Sequence, residues 1–568
     1  MKSLFYGTTK RQKAIRVLLL LSIISYISCN NADDNENIIT RNEISVSQVI
    51  SSLGTPETLA DFKTISYDVE GSSFEYGQDG PYVEFPINDS SYKYGFSSEL
   101  SSRKAKLEYS FINYKYPFQY YSNGTTLIVN DLQGSISGEY DLRSIYVGFT
   151  EATALHASRI EAILKLHKMA NPLELLKEIA VKYGSSYKTK TNSFLVPTGI
   201  EGLDIEVFID KDTFLPVKSV VKESDYLLGD ILFKIVYSDW TTIDGFLMPA
   251  HLDHYINEDR VRSESISNIK INPQLTQDHF EVETSEPRAY NLVEAKDGIY
   301  FSQWYIRLFY QSIPLDQPLN IALAMEDQDL SQFNVGSQYI SENIKIIGRP
   351  DVSIWPVAIK TASGVYIVDS PVSEKWAKSV LNVVANKFPS EPVVGVIPSH
   401  IHNTHFAGIR KLAAEGGNIY VGSGGVEFTN FVLGQPHSLV PDTMSRSGNT
   451  VNIIEIDKVT YLDGGAVEIH PFAIPDAGVN PHAEDLTVVY VPAEKVLIQT
   501  DFFYAGVSHN IFSERTPKTF SEEVKQSLKL RAQYLLNFIQ QKNLDVTKII
   551  ALHGGVATLE EVRQVADY

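Results

Sequence analysis

Three histidines fall within six residues of the segment PSHIHNTHFAG (Pro398 to Gly408), in a chain that holds 13 histidines in 568 residues. Imidazole is the commonest side-chain metal ligand, so His400, His402 and His405 crowded together point to metal binding. For this segment taken by itself, the alternative is a solvated loop rich in histidine. The apolar run VVGVIPSH reads as a buried strand that ends just before His400, and His405 opens the helical stretch HFAGIRKLAAEGG. In α/β architecture, chemistry collects where strands end and loops begin. Three further ligand-type residues follow in comparable positions. His482 precedes the apolar run DLTVVYVP, Asp501 ends KVLIQTD, and His553 ends the last apolar run in KIIALHGG. For Asp501 the commoner role of a lone Asp, an N-cap or turn residue, stays open.

The elements that must position these residues lie between about 291 and 568. Apolar runs such as GVYIVDS, PVVGVIPSH, NIYVGS and DLTVVYVP each end in turn or polar chemistry. Helical stretches separate several of them, including EKWAKSVLNVVANKF and a long one opened by a Thr519-x-x-Glu522 capping box. Alternating buried strands and helices is α/β logic. Residues 30–290 read differently, as short β-branched and aromatic runs punctuated by Asn123-Gly124, Asp244-Gly245 and an Asp210-Lys211-Asp212 turn. A helical patch near 151–184 interrupts them, with Pro172 opening its second helix and Gly184 closing it. Many antiparallel strands with a helical hairpin predict a curved sheet packed on helices. The run from Phe208 to Leu252 resembles the half-barrel of periplasmic lipoprotein carriers. His251 and His254 lie three apart in a predicted strand, so they face opposite sides and read as structural residues. The fold class is therefore a two-domain α+β and α/β chain: an antiparallel, half-barrel-like β domain at 30–290 and an α/β domain at 291–568.

The order of ligand-type residues in the second region resembles the metallo-β-lactamase superfamily, whose signature is H-x-H-x-D-H, then a His, an Asp and a late His beside Gly. Here it reads His400-Ile401-His402-Asn403-Thr404-His405, then His482, Thr500-Asp501 and His553-Gly554. The resemblance covers about residues 291–568. It implies an αββα sandwich with a zinc site at the strand edges and one or two zinc ions per chain. By resemblance, His400, His402 and His482 hold one zinc, and His405 and His553 hold a second, with Asp501 bridging. The family carries Asp where this chain carries Thr404, as a ligand of the second metal and as a proton shuttle. Threonine can hydrogen-bond a nucleophilic hydroxide but cannot act as its base, so a weaker second metal is expected. Three outcomes stay open: a two-metal enzyme, a one-metal hydrolase, or a catalytically impaired metal- or ligand-binding protein. Glu484 and Asp485 read as a solvated turn, and His509, near Tyr504, as a surface histidine. The resemblance implies a small-molecule substrate, an ester, thioester or lactone first and a β-lactam second, attacked by metal-activated hydroxide. The aromatic stretch from Phe301 to Phe333 reads as packing on the N-terminal domain rather than shaping a substrate entrance.

The first residues read as a targeting segment. Lys2, Lys10, Arg11, Lys13 and Arg16 precede the apolar run VLLLLSIISYI, which ends at Ser28-Cys29. Cys29 is the chain's one cysteine, which excludes an intrachain disulfide. YISC resembles the lipobox of bacterial lipoproteins, and Tyr26 stands where that motif usually has Leu. The expectation is a signal peptide over residues 1–29, lipid on Cys29, and an exported outer-membrane lipoprotein facing the periplasm or the surface. A formal net charge of −20 disfavours nucleic acid as a partner, because such binding draws on basic surface.

Overall fold

Two antiparallel meanders build the first half of the chain. The computed structural model describes residues 43–75, 87–100, 102–114, 125–138, 152–200, 203–284, 287–310, 329–333, 340–348, 354–472, 483, 485–500, 502–503, 505, 522–552 and 555–567. The targeting segment with Cys29, the Asn123-Gly124 turn and Thr519 of the capping box lie outside them. From Ile44 onward the chain forms one compact unit. It opens with β1 (Ile44–Ser45), α1 (Val46–Leu53) and α2 (Pro56–Asp61). The first meander is β2 (Thr64–Glu75), β3 (Ile87–Glu99), β4 (Lys104–Tyr114), β5 (Thr125–Asn130), β6 (Gln133–Gly138) and β7 (Thr153–Ala154). Next come α3 (Ala157–Ala170), α4 (Pro172–Tyr183) and β8 (Lys188–Thr189), which pairs with β1. The second meander is β9 (Ser193–Ile200), β10 (Leu203–Ile209), β11 (Pro216–Asp225), β12 (Gly229–Ile243), β13 (Phe246–Ile256) and β14 (Asp259–Ile271).

β14 pairs with β2, so the meanders join into one sheet of order β7-β6-β5-β4-β3-β2-β14-β13-β12-β11-β10-β9. Alternation decides which face is covered: along β10, Leu203, Ile205, Val207 and Ile209 are buried while the residues between them are half-buried. The α3–α4 hairpin links the two edges. Asn171 caps α4, Pro172 fills its first turn, and Gly184 leaves it at φ 77°. The Ser219 and Tyr237 hydroxyls donate to the Met169 carbonyl at 3.1 and 2.5 Å, and buried Lys165 pairs with Glu223 at 2.9 Å. A cavity of about 580 Å³ beside the hairpin is lined by Ala105 of β4 and by Pro197 and Ile205 of β9 and β10. Strands far apart in the sheet order thus face one space, so the sheet curves around its helices. His254 is buried with Nε2 3.2 Å from Glu264, which also accepts from the Tyr92 hydroxyl at 2.7 Å. His251 sits near Ser263 instead. Both are part of the sheet's own packing.

α5 (Leu292–Tyr300) and α6 (Ser302–Tyr310) follow. The Ser302 hydroxyl and the Gln303 N–H donate to the Glu223 carboxylate of β11, and Trp304 and Tyr305 are buried. The described start of the Phe301–Phe333 stretch therefore packs on the first sheet.

Two six-stranded sheets complete the chain. One is β15 (Ile344–Ile346), β16 (Val357–Lys360), β17 (Val365–Val368), β18 (Val393–Ile397), β19 (Asn418–Gly422) and β20 (Asn452–Ile456), in that order, parallel from β17 onward. The other is β21 (Thr460–Leu462), β22 (Val467–Pro471), β23 (Thr487–Val491), β24 (Val496–Gln499), β25 (Lys548–Ala551) and β26 (Gly555–Thr558). Ile359, Val368, Ile397 and Ile456 of one sheet share an apolar core with Ile469, Val489, Ile498 and Ile550 of the other. The outer face of the first sheet is covered by α7 (Glu374–Lys387), α9 (Ile409–Ala414) and α10 (Gly425–Gly434). The outer face of the second is covered by α11 (Glu522–Gln541) and α12 (Leu559–Asp567). The layers run helix, sheet, sheet, helix. β17, β23 and β24 are buried along their whole length, as doubly covered strands require.

One helix differs from the sequence expectation. The stretch HFAGIRKLAAEGG forms two pieces, α8 (Asn403–Phe406) and α9, parted at Ala407-Gly408. The break has a packing cause. A Cβ on Gly408 would lie 2.9 Å from Ala377, from the Ser370 hydroxyl and from the Ser373 carbonyl, and the Gly408 N–H donates to Ser370 O at 3.0 Å.

Candidate metal centre

The three clustered histidines sit where β18 ends. Ile397 closes the strand, Pro398 and Ser399 turn the chain, and His402 stands at the entry to α8 in extended conformation, φ −61° and ψ 149°. All three side chains are in the interior: His400 and His405 are 0 % exposed and His402 is 3 % exposed. That removes the solvated-loop alternative. The His400 ring centroid lies 4.3 Å from that of His402 and 4.5 Å from that of His405.

The residue that sequence reasoning missed is Asp369. It follows β17 directly, beside β18 in the parallel pairing of Val368 with Ile397. Its Oδ2 accepts from His405 Nδ1 at 2.6 Å, and its Oδ1 accepts from the Ser399 N–H at 2.8 Å. The carboxylate, 1 % exposed, thus fixes both ends of the histidine segment. It also fixes the His405 tautomer, since a carboxylate only accepts and Nδ1 therefore carries the proton. Asp369 does this at φ 67°, a left-handed conformation that a non-glycine residue rarely holds without support. The signal was present in the run YIVDS: an acidic residue directly after a wholly apolar strand. His400 Nδ1 lies 3.1 Å from the Ser399 hydroxyl, so that ring also turns its Nδ1 to its own chain.

The second sheet reaches the same place. The Thr487 N–H, at the start of β23, donates to Ser399 O at 2.8 Å. β23 and β24 are antiparallel and β24 and β25 parallel, so the start of β23 and the ends of β24 and β25 share one edge. Leu552 N donates to Gln499 O at 3.0 Å across that edge. The Gln499 amide then turns the chain sharply: it donates to Phe503 O at 2.7 Å and accepts from the Phe503 N–H at 3.0 Å. Thr500 is buried, and its hydroxyl has no hydrogen-bond partner among the described residues.

His482, Asp501 and His553 lie outside the described residues, as do Glu484, Tyr504 and His509. Among the described residues no group of three or more His, Cys, Asp or Glu is arranged to hold a metal ion. His400, His402 and His405 are brought together without forming a complete ligand set. Thr404 is described; it lies half-buried in the short helix α8 between His402 and His405. Asp485 corrects the sequence expectation of a solvated turn. It is 1 % exposed, because its backbone passes over Gly422, where a Cβ would come within 1.8 Å of the Asp485 carbonyl.

No protein-family model and no curated protein matches the chain. Solved structures similar to it include the DIM-1 metallo-β-lactamase, 15% identical, with 40% of this chain and 93% of that chain covered and a TM-score of 0.26. A structure of TMB-1 is 17% identical, with 40% and 93% covered and a TM-score of 0.27. A double mutant of the sec-alkyl sulfatase PisA1 is 18% identical, with 40% of each chain covered and a TM-score of 0.27.

Proposed function

We propose that this chain is a zinc-dependent hydrolase of the metallo-β-lactamase type, anchored to a membrane through lipid on Cys29. The observation that carries this reading is the packing of His400, His402 and His405, buried, around the Asp369 carboxylate at the shared edge of two sheets. The donor chemistry fits zinc: three imidazoles, two of them held at Nδ1 so that Nε2 would coordinate. In this reading His482, Asp501 and His553 complete the set; the support is that Thr487, Gln499 and Leu552, within about five residues of them in the chain, share the edge next to Ser399. Zinc bound there would polarise a substrate carbonyl and supply a water nucleophile at neutral pH. The chain's own residues do the rest. Asp369 holds His405 in one tautomer. Ser399 and Thr487 pin the segment to the second sheet, and the surrounding apolar layers keep bulk water away. Thr404 offers a hydroxyl where the family has a carboxylate, so it can orient a water by a hydrogen bond but cannot take its proton. The substrate class proposed with this reading is an ester, thioester or lactone, with a β-lactam second.

The test is turnover of a panel of such substrates by zinc-loaded protein, with chelator and His402→Ala controls. Turnover lost in both controls supports the reading, and no turnover of any substrate overturns the hydrolase assignment. A second reading, a ligand-binding protein with a catalytically impaired sandwich, is favoured by the cavity of about 580 Å³ beside α3 and α4. Native mass spectrometry of the purified protein tests it. A co-purifying small molecule supports this reading, and its absence counts against it.

A further inference from the structure

A second cavity, of about 330 Å³, lies where α7, α9 and the 437–446 segment meet α5 and the turn between β11 and β12. His400, His402 and His405 do not line it. Its floor is the stack of Tyr226 on Phe301, with ring centroids 4.7 Å apart and planes 11° from parallel. Its walls carry four cations, Lys375, Lys378, Lys411 and Arg446, in a chain whose net charge is −20. Lys375 and Lys378 are three residues apart near the start of the 14-residue helix α7, so they share a face close to the positive end of its dipole.

Three carboxylates line the same cavity; Asp442 is held by Arg410 from outside it, and the other two face the cavity's own cations. Asp442 takes a bidentate pair from Arg410 and also accepts from the Ser445 N–H at 2.8 Å. Asp297 pairs with Lys375. Glu374 accepts from the Thr443 N–H at 2.9 Å and lies 4.0 Å from Arg446. Lys411 also reaches Glu415 across one helical turn. The cavity's positive character is therefore only partly cancelled from within.

His437 gives the second, independent observation. It lines the cavity, it is 5 % exposed, and its Nε2 has no hydrogen-bond partner among the described residues. A buried polar atom left without a partner costs about 1–3 kcal/mol, and such atoms mark places where a ligand or ion completes the structure. The segment carrying His437 is held rigidly. The Asp230 carboxylate accepts from the Ser438 and Leu439 N–H groups at 2.8 and 3.1 Å, and Asp230 N donates to Pro436 O at 2.8 Å. Gly229 permits that approach at φ 70°, since a Cβ there would lie 2.4 Å from Pro436 O. A cavity with cationic walls, one tethered wall segment and a ring nitrogen without a partner among the described residues suits an anion.

We propose that this cavity binds a small anion of the phosphate or carboxylate class, with His437 Nε2 and the lysines as donors and the Tyr226–Phe301 stack against its apolar part. The volume is at the small end of ligand sites, which suits a molecule of a few to a dozen heavy atoms. The site is independent of the zinc reading.

The experiment is isothermal titration calorimetry of metal-free full-length protein with inorganic phosphate and, separately, with succinate. The proposal expects saturable binding of at least one probe, weakening with added salt. Binding should fall by roughly tenfold or more in Lys378→Glu and in Arg446→Glu, each of which replaces an attraction with a repulsion at an exposed position. His402→Ala should leave it unchanged. A preference for one probe assigns the anion class. Absence of saturable binding by both probes, or the same affinity in both charge-reversal variants, overturns the proposal. Because these two side chains are exposed, the variants remain folded and readable even where a His437→Gln variant is not.

Discussion

Replacing Asp369 by Asn tests whether one buried carboxylate organises the histidine segment. The change keeps the size of the side chain and tolerates the φ of 67°, since Asn enters the left-handed region more readily than other residues. What it removes is charge and one acceptor. Asp369 accepts from His405 Nδ1 at 2.6 Å and from the Ser399 N–H at 2.8 Å. An amide oxygen can serve one of these, and its NH₂ group would then face the other donor. One buried donor is left unsatisfied, at a cost of about 1–3 kcal/mol, and the surviving bond loses its charge assistance. The expected loss of stability is therefore about 2–4 kcal/mol. Asp369→Ala loses both acceptors and places Ala at positive φ, so it should cost more, about 3–6 kcal/mol. His405 also loses the group that fixes its tautomer, and zinc affinity should drop by roughly 10–100-fold. Urea denaturation reads the first effect and zinc titration the second. If Asp369→Asn unfolds at the parental midpoint and binds zinc as the parent does, the reasoning about Asp369 fails.

Other expectations follow from the same contacts. Gly422→Ala would put a Cβ 1.8 Å from the Asp485 carbonyl, so the chain must shift; a loss of about 3 kcal/mol or more in urea unfolding is expected, and a neutral result refutes the tight crossing. Burial would raise the Glu264 pKa, but His254, Arg262 and Tyr92 together bring it down to about 2, below its ordinary 4.5. Its stabilising contribution is thus fully present above pH 4.5 and is lost as pH falls towards 2. Glu264→Gln should cost about 3–5 kcal/mol at neutral pH and progressively less in acid, read from urea midpoints across that range. Thr404→Asp should raise the zinc content or tighten the weaker zinc, measured by titration against the parent; an unchanged profile would mean that position 404 does not face a metal.

The strands of the sandwich were legible because each is a short wholly apolar run stopped by turn chemistry, as in NIYVGS and DLTVVYVP. The α3–α4 hairpin was legible from Pro172 and Gly184, which act locally. The break between α8 and α9 was not, because it arises from the close approach of Gly408 to Ala377 and Ser370, residues that only the fold brings near. The same holds for Asp485, whose burial depends on the absence of a side chain at Gly422, 63 residues earlier. Asp369 was visible as a letter but not as a partner. Its role comes from the parallel pairing of β17 with β18, which sets Asp369 beside Ser399, and sequence order alone separates them by 30 residues. The histidine cluster was readable because its members are neighbours in the chain. His482, Asp501 and His553 rest on order and spacing alone and lie outside the described residues.

Metal content per chain tests the central claim most directly. The purified protein, loaded with zinc and then freed of excess, would be measured by inductively coupled plasma mass spectrometry beside a His400→Ala variant. One or about two zinc ions per chain, as mononuclear and two-metal sites hold, with loss of zinc in the variant, is the predicted result. No retained zinc in the parent, or equal zinc in parent and variant, would contradict the account.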